Sequence, residues 1–454
     1  MACFCIAVQV HAQTNYLTTV CGTSWGGYNG DGIPAVEANL YAPEGICLDS
    51  LKNIYIADPG NNRVRKVTKS TGLITTIAGN GISGFSGDDS LATNAQLYDP
   101  EAVVIDNAGN VYIADAGNNR IRKVSAATGI ITTIAGSGPT GVGTGANGDY
   151  GPAINARIAN PSGLCLDKSG NIYIADYGNN KIRRVDASTG IITTVAGKGG
   201  NPGYTGGFIG YSGDGGPATD AVFSGPVQVF ADNYNNLFIC DQWNHAVRKV
   251  DAATGIITTV VGDGTGIAGY FGDGGSATNA QLNQPCGVYV DQQENIYIAD
   301  YWNGSIRKVD VTGTITTIAG TGTRGYSDDG QPATATGLKC ANVFLDQQGT
   351  VYIADMDNNR IKKMYNPASV VSVGTPEKQE ILSAYPNPMR DELTIVNAAE
   401  SEVEIFNVTG QLSFNKLCKT DKETINVSNL VPGAYVVQIT DKDGTVQNMR
   451  VVKE

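Results

Sequence analysis

Six aspartates recur at a fixed place in the chain, and carboxylates are common general acids, general bases and metal ligands. Each ends a phrase of the type Ile-Tyr-Ile-Ala-Asp, with an asparagine three positions later and a basic residue seven positions later. They are Asp58, Asp115, Asp176, Asp241, Asp300 and Asp355. A catalytic centre needs its acid once, whereas a turn needs its cap in every repeat. The recurrence therefore predicts that these carboxylates cap their own turns and pair within a sheet.

Two glutamates depart from the repeat. Glu44 and Glu101 stand at the start of the first strand of the first two units, where the later units have Ser162, Val227, Cys286 and Ala341. Calcium prefers several carboxylate or carbonyl oxygens. The two glutamates are therefore candidate ligands for part of a calcium site, although we predict no cofactor. The Gly-Asp-Gly-Gly loops of the repeat lack the dense ligand spacing of a calcium-binding loop.

Aromatic residues replace small ones directly after the repeated aspartate. The first two units have Pro59-Gly60 and Ala116-Gly117 there, whereas later units have Tyr177-Gly178, Gln242-Trp243 and Tyr301-Trp302. The units with tryptophan also lose a basic residue, at Ala246 and Ser305. Aromatic rings offer large contact area and stack on sugars or peptides. These departures predict a recognition surface around the third to fifth units.

A long glycine-rich loop adds two aromatic residues to this surface, and His245 is the single histidine after the N-terminal leader. One imidazole cannot form a zinc site of several histidines. We predict that His245 contributes to binding instead. The predicted binding residues are Tyr177, Tyr204, Phe208, Trp243, His245, Tyr301 and Trp302.

The elements that position these residues follow from the repeat itself. Each unit holds four apolar segments rich in β-branched and aromatic residues and bounded by Gly, Asn and Asp, as strands are. Six units of four strands predict an all-β fold, a six-bladed β-propeller over residues 13–366. The sixth unit lacks its fourth segment, and Leu17-Thr18-Thr19-Val20-Cys21-Gly22 matches it. We therefore expect the N-terminal strand to close the last blade and leave no open edge.

Composition limits the partners and the location. The net charge is −12 and the pI near 4.7, which argues against nucleic acid because phosphate binding rests on clustered Lys and Arg. Residues 1–12 are apolar and end in Val10-His11-Ala12, as a truncated signal peptide would. No other stretch predicts a transmembrane segment. Cys286 and Cys340 begin the first strands of adjacent units, so a disulfide between them is a further possibility on an oxidising surface.

The segment 112–124, Tyr-Ile-Ala-Asp-Ala-Gly-Asn-Asn-Arg-Ile-Arg-Lys-Val, together with the Gly-Asp-Gly-Gly-Pro-Ala-Thr of 213–219, resembles the NHL repeat of extracellular propellers. That family includes protein binders, RNA binders and a few lyases, so the resemblance implies the fold rather than an activity. Glu44-Gly45 is also similar to the Glu-Gly of calcium-dependent lactonase and phosphotriesterase propellers. The positions of their later ligands are apolar here.

A second domain follows a linker over residues 367–380. Residues 381–454 contain apolar segments separated by Gly and Asp turns, which predicts a small Ig-like β-sandwich. Tyr385-Pro386-Asn387-Pro388, Leu430-Val431-Pro432-Gly433-Ala434-Tyr435 and Arg450-Val451-Val452-Lys453 resemble the type A C-terminal sorting domain of the type IX secretion system. The resemblance implies contact with that machinery through 381–454 and export through the periplasm and outer membrane to the cell surface or beyond.

These observations favour a non-catalytic surface propeller that binds a protein or a glycan. Two alternatives remain open at the level of sequence. One is a calcium-dependent hydrolase that uses Glu44 and Glu101. The other is a structural or adhesive surface protein without a discrete ligand.

Overall fold

A computed structural model of the chain describes residues 14–138, 148–199, 210–366 and, with short gaps, 383–454. The chain divides into two compact units, Met1–Ser369 and Val370–Glu454. The expected leader, residues 1–12, and the expected linker, residues 367–380, lie outside the described residues.

The described part of the first unit forms six antiparallel sheets, each built mainly from four strands. In order from the first strand to the fourth, blade 1 has Ile46–Leu48, Ile54–Asp58, Arg63–Val67 and Leu73–Ala78, and blade 2 has Pro100–Ile105, Val111–Asp115, Arg120–Val124 and Ile130–Ala135. Blade 3 has Pro161–Leu166, Ile172–Asp176, Lys181–Val185 and Ile192–Ala196, and blade 4 has Pro226–Ala231, Leu237–Asp241, Ala246–Val250 and Ile257–Val261. Blade 5 has Pro285–Val290, Ile296–Asp300, Ser305–Val309 and Ile315–Gly320. The sixfold sheet count confirms the propeller.

The first strands of all six blades line one central cavity of about 170 Å³, so they are the inner strands and the fourth strands are the outer ones. Neighbouring blades pack face to face through buried side chains; Ile113 and Val103 of blade 2, for example, share a cluster with Ala57 and Val64 of blade 1. Burial of such apolar surface between blades is the main source of stability for the ring.

Blade 6 takes its outer strand from the N-terminus. It consists of Asn342–Leu345, Val351–Asp355 and Arg360–Tyr365, and Tyr16–Cys21 pairs antiparallel with the last of these. The backbone N–H of Thr19 donates a hydrogen bond of 2.7 Å to Asp329, which precedes the blade. The predicted closure by the N-terminal strand is confirmed.

Two sets of three-residue 3-10 helices recur. One set precedes the inner strands: Ala35–Glu37, Ala92–Asn94, Ala153–Asn155, Ala218–Asp220, Ala277–Asn279 and Ala333–Ala335. The other joins the second strand to the third: Pro59–Asn61, Ala116–Asn118, Tyr177–Asn179, Gln242–Asn244, Tyr301–Asn303 and Met356–Asn358. Two-residue strands, Ile33–Pro34 and Ser90–Leu91, pair with the outer strands of blades 1 and 2 and cover their open edges.

Each 3-10 helix of the second set ends at a residue in the left-handed conformation, with φ near 50°; examples are Asn62, Asn119, His245 and Gly304. Asparagine and glycine tolerate this backbone best, which explains the Asn-Asn pair of most repeats.

The second unit has two sheets. Ser383–Tyr385, Glu392–Val396 and Lys422–Asn426 form one, and Leu412–Leu417, Glu402–Asn407, Gly433–Thr440 and Val446–Lys453 form the other. Leu393 and Ile395 of the first sheet share one core with Val403, Ile405 and Val437 of the second. This arrangement fits the predicted sandwich.

Candidate functional site

The repeated aspartates are buried structural groups. In blade 2, Asp115 accepts hydrogen bonds from the backbone N–H of Tyr98 at 2.8 Å and from the side-chain amide of Asn118 at 2.8 Å. The guanidinium Nη1 of Arg122 lies 3.2 Å from Asp115 Oδ2 and completes the network. The prediction of a structural role is right, but the carboxylate does not cap its own helix. It fixes the loop that enters the inner strand of the same blade.

The aspartates of the Gly-Asp-Gly-Gly loops belong to the same framework. Asp88 pairs with the buried Arg122 at 2.8 Å and accepts a hydrogen bond of 2.7 Å from Thr133 on the outer strand. The corresponding pairs are Arg65–Asp31, Arg183–Asp149, Arg248–Asp214, Arg307–Asp273 and Lys362–Asp329. These carboxylates satisfy buried cations that would otherwise be costly to desolvate.

In five of the six blades, the left-handed residue after the 3-10 helix that follows the second strand accepts a hydrogen bond from the next blade. Asn119 accepts a hydrogen bond of 2.7 Å from the backbone of Asn160 in the next blade. His245 takes this place in blade 4, where its Nδ1 accepts from the N–H of Gln284 at 3.0 Å. Burial lowers the pKa of His245 and favours the neutral ring that this contact requires. The structure thus gives His245 a blade-joining role that the sequence prediction of a binding role did not foresee.

Tyr177 and Trp243, from blades 3 and 4, meet at their edges. The indole Nε1–H of Trp243 donates a hydrogen bond of 3.1 Å to the phenol oxygen of Tyr177. Gly225 lies beneath both rings, because a Cβ there would stand 2.6 Å from Trp243 Cδ1 and 2.8 Å from Tyr177 Cε2. Trp243 is 36% exposed. We call the two rings and the Gly225 backbone the aromatic platform.

A second aromatic cluster lies at blades 5 and 6. The rings of Tyr301 and Trp302 meet edge to face, with 5.5 Å between their centroids. Trp302 donates a hydrogen bond from Nε1 to Gln284 Oε1 at 2.8 Å. The guanidinium of Arg324 lies 4.3 Å from the Trp302 ring centre and pairs with Asp357. Trp302 remains 45% exposed. Both tryptophans therefore reach solvent.

Two tyrosines that the sequence analysis missed also belong to this face. Tyr41 and Tyr98 pack on Gly60 and Gly117 of blades 1 and 2 and are 52% and 49% exposed. Their rings come from the loop before the inner strand, whereas Trp243 comes from the helix after the second strand. Since the two positions are far apart within a repeat, alignment of the repeats did not reveal that they converge.

Ala246 and Ser305 lie elsewhere. Both are fully buried, so the loss of the basic residue there does not shape the binding face. The hydroxyl of Tyr270 in blade 5 reaches Thr317 on the outer strand at 2.7 Å, and its ring fills the space beside Gly322. In blades 1 and 2 the corresponding glycines, Gly81 and Gly138, lie against Arg63 and Arg120 instead. These arginines occupy the positions that Ala246 and Ser305 hold in blades 4 and 5. Ala246 and Ser305 therefore add no surface of their own to the predicted recognition face, and in blade 5 the ring of Tyr270 takes the space that an arginine fills in blades 1 and 2.

Glu44 and Glu101 are neighbours at one mouth of the channel. The N–H of Gly45 donates to the backbone oxygen of Glu101 at 2.9 Å, and a Cβ at Gly45 would stand 2.7 Å from Ala102 Cα. Burial raises the pKa of both carboxyls, and for Glu101 the charge of Glu44 raises it further. Within the described ranges, no three or more His, Cys, Asp or Glu side chains are grouped so as to hold a metal ion.

Parts of the chain match the models of known protein families. Residues 40–67 and 97–124 match the model of the NHL repeat, and residues 140–203 and 266–359 match that of the teneurin NHL domain. Residues 383–454 match the secretion system C-terminal sorting domain. The chain is an NHL-repeat propeller with a type IX sorting domain.

The sorting domain directs export of the NHL propeller by the type IX secretion system to the cell surface or the extracellular space, and it implies contact with that machinery. None of the described residues forms a helix of the length and apolarity that a membrane span requires.

Sequence relatives match most of this chain and are longer than the matched part. NHL repeat-containing protein 2 of Homo sapiens is 27% identical over 365 residues, which are 76% of this chain and 49% of the relative. Protein SUPPRESSOR OF QUENCHING 1, chloroplastic, of Arabidopsis thaliana is 29% identical over 279 residues, 61% of this chain and 25% of the relative. The chain thus spans half or less of the length of these relatives.

Solved structures share the fold. A structural genomics protein of unknown function from Bacteroides thetaiotaomicron is 20% identical with a TM-score of 0.56, covering 78% of this chain and 76% of that one. An auxiliary nutrient binding protein from the same organism is 16% identical with a TM-score of 0.54, covering 78% and 77%. At these identities the likeness concerns the fold alone.

The NHL propeller brings four of the predicted binding residues into two clusters, Tyr177 with Trp243 and Tyr301 with Trp302. Tyr204 and Phe208 lie outside the described residues. Cys286 and Cys340 are both free thiols, each within 3.3 Å of a backbone oxygen, of Gln284 and Ser305 respectively. The structure therefore does not contain the disulfide that the sequence left open.

Proposed function

We propose that this chain is a non-catalytic binding protein of the cell surface, which takes a protein or glycan ligand on the aromatic face of blades 3 to 5. The observation that carries the proposal is the pair of exposed tryptophans, Trp243 and Trp302, whose indole nitrogens are hydrogen-bonded to neighbouring side chains. Rings held in this way are pre-organised, and pre-organised aromatic residues are the usual anchors of binding surfaces.

The network around the face supports this function rather than catalysis. The repeated carboxylates are paired with arginine or lysine inside the blades. His245, whose imidazole is the one histidine ring among the described residues, joins blades 4 and 5 through Nδ1. The face thus offers rings and amides, which are groups suited to recognition.

The test is binding by the intact mature protein to fractions of outer-surface proteins and to a glycan array. Trp243→Ala and Trp302→Ala should each reduce affinity by roughly 1–3 kcal/mol, the range of interface anchors, with little change in stability. Pro59→Ala and Ala116→Ser, at the corresponding helices of blades 1 and 2, serve as controls and should leave affinity unchanged. Equal losses in all four variants would contradict the proposal.

A calcium-dependent hydrolase is the second candidate, and the contact between the Glu44 and Glu101 strands favours it. Two neighbouring carboxyls of raised pKa are suited to share a cation or to act as a general acid. Metal analysis of the purified protein separates the candidates. One calcium per chain that is lost in Glu44→Gln and Glu101→Gln would support the hydrolase, and metal-free protein that still binds its ligand would support the binding function.

A further inference from the structure

The aromatic platform has features that select among ligand classes. The Tyr177 hydroxyl accepts the hydrogen bond of the Trp243 indole, so the polar edge of the tryptophan is already satisfied. Contact with a ligand must then come mainly through the ring face. A ligand suited to a ring face presents C–H groups or another flat surface.

Charge at the face limits the ligand further. The cation of the neighbouring cluster, Arg324, pairs with Asp357 and stacks on Trp302. Glu44 and Glu101 add carboxyls at the channel mouth, and the whole chain has a net charge of −12. An anionic ligand would meet repulsion without a matching cation. The charge around the face therefore disfavours an anionic ligand.

The exposed aromatic surface of the platform is small. A stable protein interface buries about 800 Å² on each partner, whereas one aromatic side chain contributes about 150–250 Å². Trp243 and Trp302 are only 36% and 45% exposed. The Tyr177–Trp243 platform taken by itself matches one ring of a small flat ligand better than it matches the core of a protein interface.

We infer that the Tyr177–Trp243 platform is a subsite for a neutral sugar ring of a glycan chain. The sugar lies with its C–H face on the Trp243 indole. Gln242, the residue before Trp243 in the chain, donates from Nε2 to Cys286 Sγ at 3.2 Å, and its amide oxygen can accept a hydrogen bond from a sugar hydroxyl. Gly225 leaves room for both rings, so the platform is formed before the ligand arrives and little conformational entropy is lost on binding. The inference rests on the proposed binding function and names its ligand class.

The experiment uses the full mature chain and short oligosaccharides of glucose, galactose and mannose, with matched uronate-bearing and sulfated oligosaccharides. Binding is followed by calorimetry and by quenching of tryptophan fluorescence. We expect binding of at least one neutral oligosaccharide and at least a tenfold loss of affinity in Trp243→Ala, as for an anchor residue. Tyr177→Phe, which keeps the ring but removes the hydrogen bond acceptor, should weaken binding by about threefold.

Tyr234→Ala is the matched control, because Tyr234 is an exposed aromatic residue of the same blade but lies in the turn between the inner and second strands, at the opposite end of the second strand from Trp243, and it should bind as the parent does. Binding to acidic oligosaccharides alone, neutral binding that persists in both Trp243→Ala and Tyr177→Phe, or no binding to any oligosaccharide would overturn the inference. A protein ligand that is lost in Trp243→Ala would overturn the sugar class while the proposed binding function stands. Failure of oligosaccharides and surface proteins alike would remove both.

Discussion

The Nδ1 atom of His245 accepts a hydrogen bond of 3.0 Å from the backbone N–H of Gln284, at a place where four other blades use an asparagine oxygen. His245 also has the left-handed backbone of those asparagines, with φ of 52°. A protonated imidazole donates from both nitrogens and cannot accept this bond. The junction between blades 4 and 5 therefore depends on a neutral histidine.

We predict that His245→Asn removes a pH dependence of stability without other effects. Burial lowers the pKa of His245 from its ordinary value of 6.5, and the charge of Asp263 opposes this only in part. The unfolded chain therefore binds more protons just below pH 6.5, and the histidine's contribution to stability is lost as the pH falls through that window. Thermal unfolding should give equal midpoints for parent and variant near neutrality and a higher midpoint for the asparagine variant in mild acid.

The alanine variant is the control for this prediction. His245→Ala loses the acceptor at every pH and places alanine in a left-handed conformation, so it should cost about 1–2 kcal/mol. If the asparagine variant loses ligand affinity while its stability is intact, His245 contacts ligand as the sequence suggested.

The second prediction concerns closure of the ring. Deletion of residues 15–22 removes the outer strand of blade 6 and exposes the edge of Arg360–Tyr365, so we expect aggregation or a large fall in the unfolding temperature. Asp329→Ala should have a smaller effect in the same direction, because it removes the contacts with Thr19 at 2.7 Å and Lys362 at 2.7 Å but leaves the strand in place. A truncated protein that melts like the parent would refute the structural role of the N-terminal strand.

The fold was predictable because the repeat encodes it six times, and its one irregularity, the missing strand of the sixth unit, showed how the ring closes. The binding face was only partly predictable. Comparison of repeats located Trp243 and Trp302, since they replace small residues in one column. The comparison of repeats could not place Tyr41 beside Gly60, because Tyr41 lies before the inner strand and Gly60 after the second strand, and only the folded blade brings these two positions together. The repeat pattern also could not show that Ala246 is buried, which depends on packing by the neighbouring loop.

The third prediction concerns the channel mouth. Burial raises the pKa of Glu44 above its ordinary value of 4.5, with a further contribution from Asp99. The folded state therefore binds more protons than the unfolded chain above pH 4.5, and stability falls as the pH rises toward the raised pKa. Glu44→Gln should leave stability unchanged in mild acid and raise it by about 1 kcal/mol near pH 9, measured by urea unfolding at both pH values. The same gain at both would show that charge is not the cause.

The last prediction concerns Gly225, which lies beneath Tyr177 and Trp243. Its φ is 62°, and a Cβ would stand 2.6 Å from Trp243 Cδ1 and 2.8 Å from Tyr177 Cε2. Gly225→Ala should therefore separate the two rings, break the Trp243 to Tyr177 hydrogen bond and cost about 1–3 kcal/mol of stability through strain and lost packing. Tryptophan emission should shift to longer wavelength as the indole gains water.

Gly215→Ala is the matched control, because Gly215 also has a positive φ, of 79°, but no atom lies within 4 Å of its Cβ position. That variant should share the cost of the backbone strain alone and leave the tryptophan emission unchanged. The difference between the two variants isolates the steric effect on the rings. Equal losses of stability together with an unchanged spectrum in Gly225→Ala would show that the rings tolerate a methyl group beneath them, and the platform would then not be the rigid surface that the geometry indicates.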